Sequence, residues 1–160
     1  MRLTRHQAVM MHKALENLSL GYLSEEMIEV VIGNCNALGE VASELKTLNR
    51  ELHDRMYAGH SDADVNGMFA LIMSGKMAEA KEKYPELWPL FEKHNRLSKK
   101  LSAKEVEIEI ERVDADAFIK GILKGRKDIT IAEIKEVLHP IFNEKEQACS
   151  LSELDNLIEE

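Results

Sequence analysis

The stretch LSEEMIEVVIGNCNALGEVASELKTLNRELHDRMY, residues 23–57, is the longest helical pattern in the chain and decides the fold class. Apolar side chains follow one another in it at alternating steps of three and four residues, which keeps them on one face of a helix. We call this face the seam; its members are Ile28, Val31, Cys35, Leu38, Ala42, Leu45, Asn49, Leu52 and Met56. The pattern predicts one long amphipathic helix, capped by Ser24, whose seam packs against a partner helix.

Two glycines interrupt this predicted helix. Gly33 and Gly39 each cost about 1 kcal/mol relative to alanine inside a helix. Either the helix tolerates this weakness, or another backbone approaches closely at the two positions. The sequence leaves both interpretations open.

A second helical pattern returns along the first. Leu87, Leu90, His94, Leu97 and Leu101 are again three or four residues apart, and Pro85 suits the first turn of the helix that carries them. The two patterns predict a long antiparallel helical hairpin. Residues 58–84 lie between them as an insertion of short helices, within a single helical domain over residues 1–160.

The segment VEIEIE, residues 106–111, alternates β-branched and charged side chains, which predicts a strand. An isolated strand is not stable, and Met1–Thr4 is its best candidate partner. Capping boxes at Thr4, Thr130 and Ser150 mark three further helix starts. The predicted fold class is therefore mainly α, with a long antiparallel helical hairpin, additional short helices and a minimal two-stranded β-sheet.

Composition favours a globular, cytoplasmic protein. The chain has 160 residues, 44% of them hydrophobic, and a formal net charge of -8, which argues against direct binding to nucleic acid. Its basic cluster also lacks interleaved aromatic residues; the cluster consists of Lys93, Arg96, Lys99, Lys100 and Lys104. No apolar run approaches the roughly 20 residues needed to cross a bilayer, no signal peptide is recognised, and two cysteines do not make a disulfide framework. We expect no membrane association.

The residues Asp62, Asp64, Asn66 and Gly67 match the first half of an EF-hand calcium loop. The second half fails, because Met73 stands where the loop needs a bidentate glutamate. The alternative is a loop whose Asp and Asn side chains cap the next helix, and the missing ligand favours it.

Imidazole and carboxylate groups around the same loop suggest a transition-metal site, with His53, Asp54, His60, Asp62 and Asp64 as candidates. No pair of histidines has the spacing of four residues that orients two ligands on a helix, and no HExxH motif is present. The favoured interpretation is a set of solvated polar side chains at a helix end, with no cofactor bound.

Asn49 and His94 are the polar residues in the two predicted helix faces. In an antiparallel hairpin they are expected to meet and hydrogen-bond, which fixes the register of the helices. The alternative places each at a solvated helix end. Catalysis by His94 is less favoured than either, because the sequence shows no nucleophile or carboxylate partner for it.

Glu105, Glu107, Glu109 and Glu111 fall on one face of the predicted strand. Such a row suits a basic protein surface or imitates a nucleic-acid backbone. The alternative, which we favour, is a solvated strand face whose like charges prevent edge-to-edge aggregation.

The order of elements, with the stretches VDADAF at 113–118 and ITIAEIKEVLHPIF at 129–142, resembles a family of small uncharacterised phage and prophage proteins with a long helical hairpin. The resemblance covers most of the chain but leaves residues 60–84 without a counterpart. It implies an origin and no activity, since the family has none assigned.

No P-loop, GxGxxG, GxSxG, CxxC or kinase signature occurs in the sequence. We therefore expect a non-enzymatic protein-interaction module that acts through a helical or acidic surface and forms a homodimer if the seam is left partly uncovered. The alternatives are an acidic inhibitor that mimics nucleic acid and a metal-binding protein that uses the region from His53 to Asp64.

Overall fold

A computed structural model describes residues 1–125 and 131–143 of the chain. Its elements are β1 (Arg2–Thr4), α1 (Arg5–Glu16), α2 (Glu25–Met56), α3 (Asp62–Met73), α4 (Met77–Lys83), α5 (Trp88–Ala103), β2 (Glu105–Glu107), α6 (Ala115–Gly125), α7 (Ile131–Leu138) and a 3-10 turn (His139–Ile141). Helices dominate and the strands form one two-stranded sheet, so the predicted fold class is confirmed. The capping residues predicted at Thr130 and Ser150 lie outside the described residues.

The chain divides into two compact units. Unit 1 consists of Met1–Ala42 and the described residues from Glu105 onward, and unit 2 is the continuous segment Ser43–Lys104. Helix α2 contributes its first part to unit 1 and the rest to unit 2. The predicted insertion, residues 58–84, falls inside unit 2, and a single domain over residues 1–160 stays a prediction.

The sheet of unit 1 pairs the two segments expected from the sequence. Strands β1 and β2 are antiparallel, with Leu3 opposite Val106. The ladder continues to Ile108, whose N–H donates to the Met1 carbonyl at 2.8 Å. The strand predicted through Glu111 is too long, because no residue of β1 lies opposite the positions after Ile108.

The core of unit 1 brings α1, α2, α6 and α7 together. Thr4 and Gln7 form the predicted capping box, with bonds of 2.9 and 3.0 Å between the side chain of each and the backbone N–H of the other. The box starts α1 so that Met11 faces inward. Fully buried side chains of this size contribute about 1.5–3 kcal/mol each; they are Met11, Val31, Leu38, Phe118, Ile122, Ile134, Leu138 and Ile141.

The two glycines of α2 have different surroundings. A Cβ added at Gly33 meets no atom within 4 Å, so this glycine is a tolerated weakness. A Cβ added at Gly39 lies 2.9 Å from Nε2 of His12, so a close approach does occur there. The approaching group is a side chain of α1 rather than another backbone.

A capping serine and a proline set the starts of two helices in unit 2. Ser61 caps α3, since its Oγ accepts from the N–H of Asp64 at 3.3 Å, and the helix already starts at Asp62. Helix α5 begins at Trp88 instead of near Pro85. The reason is Pro89, which has no N–H to bond the carbonyl of residue 85 and therefore belongs in the first turn.

The smaller core of unit 2 contains Tyr57, Val65, Met68, Ala80 and Leu87. Tyr57 lies against His94 and Asn49 against Ser98, so α5 runs antiparallel to the C-terminal part of α2. The methionines divide between core and surface: Met11 and Met68 are buried, whereas Met73 is 87% exposed and Met10 and Met77 are also exposed. No helix in the described ranges is long and apolar enough to cross a membrane.

Candidate functional site

An open groove of about 940 Å³ lies in unit 1 between the first turns of α2 and the extended segment after β2. We call it the acidic groove, because four of the residues that line it are glutamates. Its lining consists of Met1, Glu26, Glu29, Val30, Gly33, Asn34, Glu109, Ile110 and Glu111.

Helix α2 supplies one wall of the acidic groove. Glu26, Glu29 and Gly33 are three or four residues apart and therefore share a helix face. Acidic side chains in the first turn interact favourably with the positive end of the helix dipole. Ser24 starts the helix by accepting the N–H of Met27 at 3.2 Å, which sets the register that points this face into the groove.

The segment after β2 supplies the other wall. Side chains alternate there as they do in a strand, so that Ile108 is buried while Glu109 and Glu111 are exposed. Ile110 is half-buried and packs against the core of unit 1. The groove therefore carries carboxylates on both walls and some apolar surface between them.

Asn34 holds the two walls together. Its Nδ2 donates to the Glu111 carbonyl at 2.7 Å, and its Oδ1 accepts the Glu111 N–H at 2.9 Å. No motif in the sequence singles out this residue, although one signal is present. Asn34 lies three residues after Val31 and four before Leu38, both of which are on the apolar face, so a polar side chain there had to find a partner.

The row of glutamates considered as an interaction surface is divided between two surroundings. All four are exposed, but only Glu109 and Glu111 line the acidic groove. Glu105 and Glu107 are in β2, where Oε1 of Glu107 accepts from the amino group of Met1 at 3.1 Å. Arg2 is a second cation beside Glu107, with its Nε 3.8 Å from Oε2.

The predicted pair of Asn49 and His94 does not form, because each side chain hydrogen-bonds another residue. Oδ1 of Asn49 accepts from the Ser98 hydroxyl at 3.2 Å. Nδ1 of His94 lies 3.1 Å from the Tyr57 hydroxyl. The antiparallel register places Asn49 opposite Ser98. Ser98 is one helical turn after His94, so Asn49 and His94 do not lie opposite each other.

His94 belongs to a cluster of aromatic rings inside unit 2, which we call the ring cluster. Its members, contributed by α2, α3, α5 and the residue after α2, are His53, Tyr57, Phe69, Trp88, Phe91 and His94. Neighbouring rings pack with centroid separations such as 5.5 Å between Tyr57 and His94, mostly edge to face, as aromatic pairs prefer.

The ring cluster changes the proton affinity of two of its members. Burial lowers the pKa of His94 below its ordinary 6.5, and the neighbouring His53 lowers it further. Burial alone raises the pKa of Tyr57 to about 12. At neutral pH both groups are uncharged, and the hydrogen bond joins the Tyr57 hydroxyl to Nδ1 of the neutral His94 ring.

The candidate metal ligands do not form a site in the described part of the chain. His53 is in α2 and packs in the ring cluster, and Asp62, Asp64 and Asn66 are exposed in α3. The favoured interpretation of this segment, a loop whose Asp and Asn side chains cap the next helix, is wrong, because the residues from Asp62 onward are helical and Ser61 is the cap; the same helix is incompatible with an EF-hand loop. Within residues 1–125 and 131–143, no three His, Cys, Asp or Glu side chains, His60 included, are grouped so that they could hold a metal ion.

The arrangement of charges in the acidic groove suits a cationic ligand. Its carboxylates are exposed, so they keep their hydration until a ligand enters, and they are spread over two walls rather than paired for proton transfer. In comparisons with known proteins, no family model, curated protein or solved structure matches this chain.

Proposed function

We propose that this protein is a non-enzymatic interaction module that binds a lysine- or arginine-rich segment of another protein in the acidic groove. The observation that supports the proposal is the placement of Glu26 and Glu29 on one wall and of Glu109 and Glu111 on the other. A basic segment between the walls is within reach of carboxylates on both sides.

The expected strength of this interaction follows from the exposure of the charges. Exposed ion pairs contribute about 0.2–1 kcal/mol each, so the glutamates alone support a weak complex. Charge of this kind mainly raises the association rate and selects the partner by sign. The half-buried Ile110 and the apolar Val30 add contact area between the charges. Because salt screens exposed charges, the binding should weaken steeply as salt is added.

The proposal includes the setting in which the module works. We propose a cytoplasmic protein from a phage or mobile element, in keeping with the cysteine content and with the resemblance in layout. Homodimerisation through a helix face remains part of the proposal. The long apolar face of α2 motivates it, because a helix face left partly uncovered suits a second copy of the chain.

The experiment that tests the proposal is an affinity purification from nuclease-treated host lysate with the full chain as bait. Three baits are compared: the natural chain, a groove variant with glutamine at positions 26, 29, 109 and 111, and a matched control. The control replaces four exposed glutamates of unit 2 by glutamine, so that it loses the same charge; they are Glu51, Glu79, Glu82 and Glu86. Circular dichroism confirms that all three are folded.

We expect a stoichiometric partner with a basic surface on the natural chain and on the control, and its loss from the groove variant. Equal recovery on all three baits would show that the acidic groove is not the binding site. If the partner is a nucleic-acid-binding protein and nucleic acid competes with the bait, the inhibitor that mimics nucleic acid becomes the better description.

A further inference from the structure

The backbone N–H and carbonyl groups of the segment after β2 hydrogen-bond two different neighbours, Met1 on one side and α2 on the other. The N–H of Ile108 bonds the carbonyl of Met1, whereas the N–H and carbonyl of Glu111 bond the side chain of Asn34 on α2. In an extended chain, successive residues direct their backbone groups to opposite sides. Glu109 is two residues before Glu111, so its N–H and carbonyl are directed toward α2 as well.

The backbone of Glu109 has no partner in the described residues. None of residues 1–125 and 131–143 accepts its N–H or donates to its carbonyl, and Glu109 itself is exposed. The position is therefore an unpaired stretch of backbone, directly after β2, that lines the acidic groove. Unpaired backbone groups of this kind are the usual places where another strand adds to a protein.

The opposite wall leaves space for an incoming backbone. Gly33 lines the groove, and a Cβ added there has no neighbour within 4 Å. An incoming chain can therefore lie close to α2 at this position without displacing a side chain.

We propose that the acidic groove binds its partner as an extended strand that hydrogen-bonds the backbone of Glu109 and places Lys or Arg side chains among the glutamates. This inference rests on the proposed function and specifies its ligand. An extended peptide gains affinity from backbone bonds and specificity from alternate side chains. A helical peptide is the poorer ligand, because its own backbone groups are already bonded within the helix.

The first test uses an end-blocked, fluorescent peptide of alternating lysine and valine and measures its binding to the full chain by anisotropy at low salt. A series of the same peptide carries one N-methyl group at each residue in turn, which removes one backbone donor and leaves the charge unchanged. We expect at least one member of the series to bind tenfold or more weakly than the parent peptide.

The outcomes separate this inference from the proposed function. Equal binding by the parent and by every methylated peptide would overturn the strand mode while leaving a basic ligand in the groove. If the parent peptide does not bind at all, the groove has no affinity for basic chains, and binding as an extended strand is refuted with it. The loss of a lysate partner from the groove variant tests the proposed function by itself.

The second test fills the groove without disturbing the fold. Gly33→Leu places a side chain in the open space beside α2, and leucine favours the helix more than glycine does. We expect the melting temperature to be maintained and peptide affinity to fall at least tenfold. Asn36→Leu adds the same side chain at an exposed position of α2 outside the groove and should bind like the natural chain. Unchanged affinity in Gly33→Leu would contradict the placement of the strand.

Discussion

The side chain of Asn34 bonds both backbone groups of Glu111, at 2.7 and 2.9 Å, and is only 3% exposed. Its amide offers a donor and an acceptor at the spacing of a backbone peptide group, so it pairs with Glu111 as a neighbouring strand would, on the side of the segment opposite β1. One side chain of α2 thereby fixes the segment that forms the second wall of the acidic groove.

Replacing Asn34 by alanine should destabilise the protein by about 1–3 kcal/mol, because it removes two partly buried hydrogen bonds to the backbone of Glu111, each of which contributes about 0.5–1.5 kcal/mol. The free energy of unfolding is measured by urea denaturation. Asn36→Ala is the matched control, since Asn36 is exposed on the same helix, and it should change stability by less than about 0.5 kcal/mol. Equal effects of the two substitutions would mean that the Asn34 bonds contribute nothing net.

Acid should weaken unit 2 through His94. Its pKa is lowered by burial and by His53, so the folded state favours the neutral ring while the unfolded chain takes up a proton near 6.5. The free energy of unfolding should therefore fall as pH drops through 6.5, until the pH is below the pKa of the folded state. We expect His94→Asn to reduce this dependence and the exposed His60→Asn to leave it unchanged. An NMR titration that gives His94 a pKa of 6.5 or higher would refute the explanation.

High pH should destabilise the protein through Tyr57, which shares a hydrogen bond with His94. Burial raises the pKa of Tyr57 to about 12, so its phenol stays protonated in the folded state above pH 10, where the unfolded phenol ionises. Stability should fall as pH rises from 10 toward 12. Ultraviolet absorption at high pH should show a late phenol ionisation that Tyr57→Phe removes. Its persistence in that variant would assign the step to another tyrosine.

Two helical glycines should respond in opposite directions to alanine. Gly33→Ala should stabilise the protein by up to about 1 kcal/mol, since the new methyl group enters open space on a helix. Gly121→Ala should destabilise it, because the methyl group overlaps Cδ2 of Leu23 in the core of unit 1. Thermal melting of the two variants side by side tests the pair. A rise in melting temperature in both variants would show that helix propensity outweighs packing at Gly121. A fall in both would contradict the open space at Gly33.

The elements that local patterns specify were predictable from the sequence. The three-and-four spacing of α2, the capping box at Thr4 and the alternation after Glu105 each depend on residues near one another in the chain. The pairing of β1 with β2 was also correct, because the chain offered one good partner for an otherwise isolated strand.

The errors arose where a second constraint acted on the same residues. Asp62 and Asp64 were expected in a loop that caps the next helix, yet the Ser61 cap makes their own segment helical. Asn49 and His94 share polar character, but the register between α2 and α5 depends on the whole set of packed side chains and gives them different partners. The acidic groove joins residues about eighty positions apart, and no local pattern reports such a distance.

The division of the chain has a consequence for its synthesis. Strand β1 is made before unit 2, but its partner β2 begins only at Glu105, after the whole of unit 2 has been translated. On the ribosome, the segment Ser43–Lys104 is complete and free to collapse while the first forty or so residues still wait for the chain that finishes their core. During that interval the apolar faces of α1 and α2 are exposed, so a nascent chain stalled before residue 105 is the form of this protein that most needs a chaperone.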